Sequence, residues 1–234
     1  MLKFLFIFVV SLPVFAQNTR VPDFNNAKKI LKKFDIFNQE TLYCGCKVSG
    51  NKVDKASCGY VEPKSSPRAG RVEWEHVVPH SFMARSFKYD KKLCGKKAKR
   101  NCLEAMYPEL SFMISDLYNL FAEDGLVNAL RSNKPIEELS SSEMSFGKCD
   151  IKINKRGFTP RKEVKGQVAR VFMYMQQAYP KMNIISNKNT KLYEAWDKMY
   201  PVTKSECDRV KFIEKLQQNE NKVVKTQCVA AKLW

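Results

Sequence analysis

Residues 71–80 (RVEWEHVVPH) contain both histidines of the 234-residue chain and two glutamates. A His-x3-His spacing on a helix puts two imidazoles on one face, as in zinc hydrolases, but Pro79 interrupts the segment and the order HExxH is absent. The adjacent pair Glu75 and His76 offers different chemistry. A carboxylate oxygen suits a hard cation such as Mg²⁺, and a neutral imidazole can take a proton from an attacking water. The alternative is a hydrogen-bonded structural histidine without a catalytic role.

The alternation of Val72, Trp74 and His76 with the glutamates predicts a strand over residues 71–78. Side chains of neighbouring strand residues point to opposite faces. For Glu75 and His76 to serve one site, we therefore expect the strand to bend, bulge or end beside them, and Pro79 favours an ending. His80 receives no role and is predicted to lie at the surface or outside the group that binds the metal.

The chain is strongly basic, with 41 Lys and Arg against 24 Asp and Glu and a formal net charge of +17. This excess favours polyanionic partners such as nucleic acid or an anionic membrane surface, although it also serves solubility. Six Lys or Arg lie in residues 91–100 (KKLCGKKAKR), which we expect to contact phosphates rather than bases. A solvated charged loop is the alternative for this segment.

The first 16 residues (MLKFLFIFVVSLPVFA) predict a signal peptide, since one lysine precedes a short apolar run and a small residue ends it. The run is shorter than the ~20 residues that span a bilayer. We therefore expect an exported protein without a membrane anchor after removal of the leader, with residues 17–234 as a single domain and a monomer.

All eight cysteines follow this segment, which predicts up to four disulfides in an exported chain. Zinc is the alternative, but the usual Cys-x2-Cys pairs are missing. Cys44 and Cys46 are too close to bond each other and should each reach a distant partner. Cys94 and Cys102 are predicted to close a small loop.

The predicted elements form a mixed α+β chain whose C-terminal half is largely helical. Residues 43–60 read as short extended pieces, and the last helix is expected to have Ser205 as its N-cap. Loops are predicted at 63–70 and 138–148, and helices at 25–34, in part of 115–131 with Gly125 as a weak point, and at 163–179, 191–199 and 205–218.

Eight short motifs follow one another along the chain: CGC (44–46), ASCGY (56–60), EWEHVVP (73–79), RNC (100–102), DLYNL (116–120), VNALRSN (127–133), VARVFMYM (168–175) and YPVTKSEC (200–207). In this order they resemble the endonuclease I family of periplasmic and secreted bacterial nucleases over roughly residues 25–228. The resemblance implies a ββα-metal (His-Me finger) core. It also implies hydrolysis of DNA, with RNA as an alternative substrate, to products ending in 5′-phosphate.

The resemblance implies that Glu75 binds the metal, that His76 is the general base and that Asn128 is the second protein ligand. Mg²⁺ is the expected cation, with Mn²⁺ or Ca²⁺ as alternatives. The residue pattern alone does not decide whether Asn119 or Asn128 is this second ligand. If one helix carried both, they would lie on opposite faces, so Asn119 is expected to be structural. Arg131 would lie on the same helix face as Asn128, from which it could contact a phosphate. The alternative is a surface arginine without this contact.

Two positions depart from the family pattern. Lys99 stands where an arginine is often found to clamp the phosphate, so Arg100 beside it is the other candidate. Ile114 replaces an acidic residue of some relatives, which puts the metal preference in doubt. These departures leave open a nucleic-acid-binding protein on a decayed nuclease scaffold, although Glu75, His76 and Asn128 are intact.

Overall fold

The computed structural model describes residues 17–33, 39–95 and 99–234, with Lys99 and Arg100 described by their backbone alone. The predicted signal peptide lies outside these residues, so it stays a prediction. Helices combine with small antiparallel sheets in this part of the chain, which confirms the predicted α+β class. No helix among the described residues is long and apolar enough to cross a membrane.

A two-stranded antiparallel hairpin and one short helix position the candidate site. Strand β3 (Val72–His76) pairs with β4 (Leu120–Asp124) from Val72 opposite Asp124 to His76 opposite Leu120. The side chain of Asp124 then accepts hydrogen bonds from the backbone N–H groups of Leu126 and Val127, which caps helix α6 (Gly125–Arg131). Helix α6 packs back against both strands.

The expectation of a partly helical segment over residues 115–131 is wrong in its centre. Asp116 caps a 3-10 turn at Leu117–Asn119, and the fully buried strand β4 follows it directly. A run of only five mostly apolar residues fits a buried strand or a helix equally well by periodicity. Gly125 is the first residue of α6, where a Cβ atom would lie 2.5 Å from the carbonyl oxygen of Arg68. Asn119 and Asn128 therefore belong to different elements.

The C-terminal half is helical, as predicted, and contains one helix that was not predicted from the sequence. Helix α7 (Lys165–Ala178) packs against α8 (Asn187–Met199) and α10 (Lys222–Ala230), and α10 is the unpredicted one. Helix α9 (Lys204–Gln217) starts one residue earlier than expected, because Thr203 rather than Ser205 accepts the capping hydrogen bond from the Glu206 N–H.

The eight cysteines form four disulfides, which confirms the predicted framework. The predicted Cys94–Cys102 bridge is present, and Cys44 and Cys46 bond to different partners as expected. Residues far apart in sequence are thereby tied together, since the bridge from Cys44 spans 105 residues. The bridges are Cys44–Cys149, Cys46–Cys58, Cys94–Cys102 and Cys207–Cys228.

The remaining elements lie around this frame. The hairpin of β1 (Lys47–Ser49) and β2 (Lys52–Asp54) forms from the predicted extended pieces, and the predicted loops at 63–70 and 138–148 contain no helix or strand. The other strands are β1 (Lys47–Ser49), β2 (Lys52–Asp54), β5 (Lys152–Ile153) and β6 (Phe158–Thr159), and the other helices are α1 (Phe24–Lys33), α2 (His80–Ala84), α3 (Lys91–Cys94), α4 (Lys99–Met106) and α5 (Pro108–Ile114).

Candidate active site

Both faces of β3 contribute side chains to one cleft of about 740 Å³. The cleft therefore runs along the edge of β3 that faces away from β4. From Glu73 to His76 no described strand pairs with this edge. The strand remains regular up to His76 and ends there, so the expected ending is present, without a bend or bulge. Glu75 and His76 leave the strand on opposite faces, and both line the cleft.

Glu75 is the buried carboxylate of this cleft, with 2% of its surface exposed. The hydroxyl of Tyr43 donates to Oε1 at 2.8 Å, and Nη1 of Arg131 lies 2.9 Å from the same oxygen. Oε2 is thus left for another ligand. Burial raises the pKa of the Glu75 carboxyl above its ordinary value, against the opposing effects of Arg131 and Tyr43.

Arg131 is also buried, with 1% of its surface exposed, so the reading as a surface arginine is wrong. Its Nη1 donates to the carbonyl oxygen of His76 at 2.8 Å, and Nη2 donates to that of Val77. The guanidinium therefore joins α6 to the end of β3 while neutralising Glu75. These contacts explain its place in the fold without a phosphate, and the phosphate contact stays an untested prediction.

Asn128 lies one helical turn before Arg131 and contacts the other glutamate of the strand. Its amide nitrogen donates to Oε2 of Glu73 at 3.0 Å, which leaves the amide oxygen Oδ1 to bind a cation. Glu73 also accepts hydrogen bonds from Arg68 and Arg71. Burial alone would raise the pKa of Glu73, but the two arginines outweigh it and lower that pKa below its ordinary value.

His76 is oriented by a backbone carbonyl group. Its Nε2 lies 2.8 Å from the carbonyl oxygen of Ile114, and its ring packs at 4.8 Å from the ring of Phe24. A carbonyl oxygen only accepts hydrogen bonds, so this contact assigns the proton of the neutral imidazole to Nε2. Nδ1 is then the nitrogen that can accept a proton.

Asn119 fastens the chain just beyond His76. Its side chain is fully buried, its amide nitrogen donates to the carbonyl oxygen of Val78 at 3.0 Å, and its Oδ1 accepts from the Val78 N–H at 2.7 Å. Both ends of the amide are therefore used on the backbone. Asn119 has a structural role in this site.

The other predicted residues are more loosely connected with the site. Lys99 and Arg100 form the start of α4, and their side chains lie outside the described part of the chain. Ile114 is buried and contributes its backbone carbonyl oxygen. His80, predicted to be a bystander, begins α2 and lines the cleft, with Nε2 at 3.4 Å from Oε1 of Glu104.

Tyr43, Arg68 and the structural use of Glu73 were not predicted from the sequence. Glu73 was visible in the EWE motif, two residues before Glu75 and therefore on the same strand face. Tyr43 and Arg68 lie in segments without a periodic pattern, so only the fold shows that Tyr43 donates to Glu75 and that Arg68 donates to Glu73.

The oxygen atoms that remain in the cleft suit a hard cation. Oε2 of Glu75 and Oδ1 of Asn128 are a carboxylate and an amide oxygen, the ligand types that Mg²⁺ accepts. Among the described residues no group of three or more His, Cys, Asp or Glu side chains could hold a metal. Two protein oxygens fit a cation whose other ligands are water and substrate phosphate.

A buried carboxylate, an oriented imidazole and arginines around one cleft of a strongly basic chain are the equipment of a phosphodiester-cleaving enzyme. The family model for Endonuclease I matches residues 20–228. The chain belongs to the endonuclease I family and is a nuclease.

Named relatives agree with this assignment. The chain is 37% identical to an extracellular deoxyribonuclease of Aeromonas hydrophila over 227 residues, 94% of each chain. It is 36% identical to a periplasmic deoxyribonuclease of the same species, over 94% of this chain and 92% of the relative. It is 34% identical to Endonuclease-1 of Buchnera aphidicola subsp. Acyrthosiphon pisum (strain APS), over 97% of this chain and 90% of the relative.

Proposed function

We propose that this chain is an exported, Mg²⁺-dependent endonuclease that hydrolyses phosphodiester bonds of DNA, with RNA as a second substrate. Cleavage is largely independent of base sequence and leaves 5′-phosphate ends. The observation that carries this proposal is the position of Glu75, His76 and Asn128 around one cleft. The names of the relatives as deoxyribonucleases support DNA as the substrate.

In this proposal β3, β4 and α6 are the ββα-metal core. Oε2 of Glu75 and Oδ1 of Asn128 would hold the cation, which would supply positive charge beside the phosphate oxygens when bound. Tyr43 and Arg131 fix the Glu75 carboxylate through its other oxygen. The hydrogen bond from Asn128 to Glu73 sets the direction of the amide.

His76 acts as the general base. Because Nε2–H is engaged by the Ile114 carbonyl oxygen, Nδ1 takes the proton of the attacking water. The water oxygen forms a bond to phosphorus while the bond from phosphorus to O3′ breaks. One product keeps the 5′-phosphate, and the departing O3′ takes a proton from solvent. Lys99 and Arg100 remain candidates for offsetting transition-state charge.

The proposed location is the periplasm or the exterior of the cell. Relatives are named extracellular and periplasmic deoxyribonucleases, and disulfides persist in such oxidising compartments. Cleavage of residues 1–16 during export and a monomeric mature enzyme complete the proposal.

Digestion of plasmid DNA by the oxidised protein tests the proposed function. We expect cleavage with Mg²⁺ and none with EDTA, and His76→Ala should lose about 10²- to 10⁴-fold in rate. His80→Ala is the matched control, since it removes the other histidine of the chain and should retain activity. Cleavage that persists in EDTA would contradict the metal mechanism. Binding of DNA without cleavage by the wild type would indicate a binding protein instead.

Asn128→Ala provides a test of the metal site itself. Loss of one of two protein oxygens should raise the Mg²⁺ concentration needed for half-maximal rate. An unchanged Mg²⁺ requirement in a folded variant would remove Asn128 from the metal site.

A further inference from the structure

Two arginines of the cleft have no function in the mechanism so far. Arg68 comes from the loop at 63–70, and Arg71 directly precedes β3. Both line the cleft, and 40% and 51% of their side-chain surfaces remain exposed. They therefore present positive charge to whatever occupies the cleft.

Glu73 holds both guanidinium groups in place. Nε and Nη2 of Arg68 donate to its two oxygens, and Nε and Nη2 of Arg71 donate to Oε1. With the amide of Asn128, the carboxylate accepts five N–H groups, which uses its lone pairs fully. Glu73 is thus a brace between the arginines and Asn128, and its lone pairs are not available to a cation.

The brace leaves an unbalanced positive charge. Two arginines and one glutamate sum to one positive charge, and in the described part of the chain Nη1 of each arginine has no protein acceptor. The other arginine of the cleft, Arg131, is buried against Glu75. Arg68 and Arg71 are therefore the accessible arginines of the cleft.

We propose that Arg68 and Arg71 form a binding subsite for a backbone phosphate of the nucleic-acid strand, next to the phosphate that is cleaved. The inference rests on the proposed function and adds a substrate contact to it. A guanidinium already fixed by a carboxylate loses little freedom when it binds a phosphate oxygen, so the brace favours tight contact. Glu73 lies within 3.0 Å of Asn128, which places this subsite beside the metal ligands.

Binding of DNA in the absence of cleavage tests the subsite. In a His76→Ala background with EDTA, we would measure fluorescence anisotropy of a labelled duplex over a range of salt concentrations. The Arg68→Gln/Arg71→Gln pair should raise Kd about tenfold at low salt. It should also reduce the slope of log K against log salt by about 0.9 or more, the value for one phosphate.

Two further variants separate the subsite from a general effect of charge or folding. Lys155→Gln/Arg156→Gln removes two exposed positive charges from the turn between β5 and β6, outside the cleft, and should reduce the salt slope less than the cleft pair does. The charge-retaining pair Arg68→Lys/Arg71→Lys should keep the slope while Kd rises. If the glutamine pair does not fold, the lysine pair decides the question, because an unchanged Kd there would overturn the subsite.

The competing explanation is that both arginines only hold Glu73 and Asn128 in place. In that case the glutamine pair would bind DNA with an unchanged slope, while the active enzyme would need more Mg²⁺. That result would overturn the inference and leave the proposed function intact. A wild-type protein that neither cleaves nor binds DNA would overturn both.

Discussion

Replacement of Arg131 by methionine should destabilise the whole protein rather than weaken the binding of DNA alone. The guanidinium is 1% exposed, faces the carboxylate of Glu75 at 2.9 Å and donates to the carbonyl oxygens of His76 and Val77. Methionine fills much of the same volume but provides neither charge nor hydrogen-bond donors. The variant therefore keeps a buried carboxylate without its counter-charge.

The size of the effect follows from burial. Removal of one partner of a buried ion pair costs about 3–5 kcal/mol. Proteins of ordinary stability unfold with about 5–15 kcal/mol, so a large part of the total is at stake. For a chain of this length each kcal/mol corresponds to about 2–4 °C in Tm, which predicts a decrease of roughly 6–20 °C.

Urea unfolding followed by far-UV circular dichroism, under oxidising conditions and without divalent cations, measures this loss. Glu75→Gln is the companion variant, and the double variant Glu75→Gln/Arg131→Met should lose less than the sum of the two single losses, because it removes both charges. An Arg131→Met protein within about 1 kcal/mol of wild type, with weaker DNA binding, would refute the buried role and favour phosphate contact.

Three further predictions concern the frame of the site. Asn119→Ala should lose about 2–4 kcal/mol of unfolding free energy, because two hydrogen bonds to the Val78 backbone disappear, while the Mg²⁺ requirement of the residual folded enzyme stays unchanged. Burial raises the pKa of Glu123 to about 8, so its protonated form is favoured in the folded protein. The free energy of unfolding should therefore decrease as the pH rises from 5 to 8, by at most about 1.4 kcal/mol per pH unit for this group. Urea titrations of Glu123→Gln should show a smaller decrease over the same pH range. Serine at both Cys44 and Cys149 should cost about 4–5 kcal/mol in the same assay, because this bridge closes a loop of 105 residues.

The sequence was sufficient where local pattern and chemistry agree. Alternation predicted β3, the 3.6-residue periodicity predicted α7, and an even cysteine count in an apparent export context predicted the four bridges. Each of these signals reflects a residue type whose environment is dictated by its immediate neighbours. The residue pair at the end of β3 could be proposed as a site for the same reason, since a carboxylate next to an imidazole is visible without a fold.

The parts that the sequence could not provide depend on contacts between distant segments. The strand β4 was taken for part of a helix because its pairing partner lies 44 or more residues away. The burial of Arg131 could not be predicted either, because helix spacing gives the direction of a side chain but not the depth at which it is buried. Arg68 comes from a loop that carries no pattern, so its hydrogen bonds to Glu73, five residues later, are seen only in the fold.

The regular ending of β3 explains how two adjacent residues can perform opposite tasks in one cleft. The alternation of a strand sends Glu75 to the face covered by α6, where Tyr43 and Arg131 donate to its carboxylate. It sends His76 to the other face, where a carbonyl oxygen accepts from the imidazole. Donors around the carboxylate favour its charged form, whereas the carbonyl group leaves the imidazole with one basic nitrogen. A bend that turned both side chains to one face would place the carboxylate and the imidazole among the same donors and acceptors. Because the edge of β3 is open, both side chains reach the cleft while each keeps its own hydrogen-bond partners.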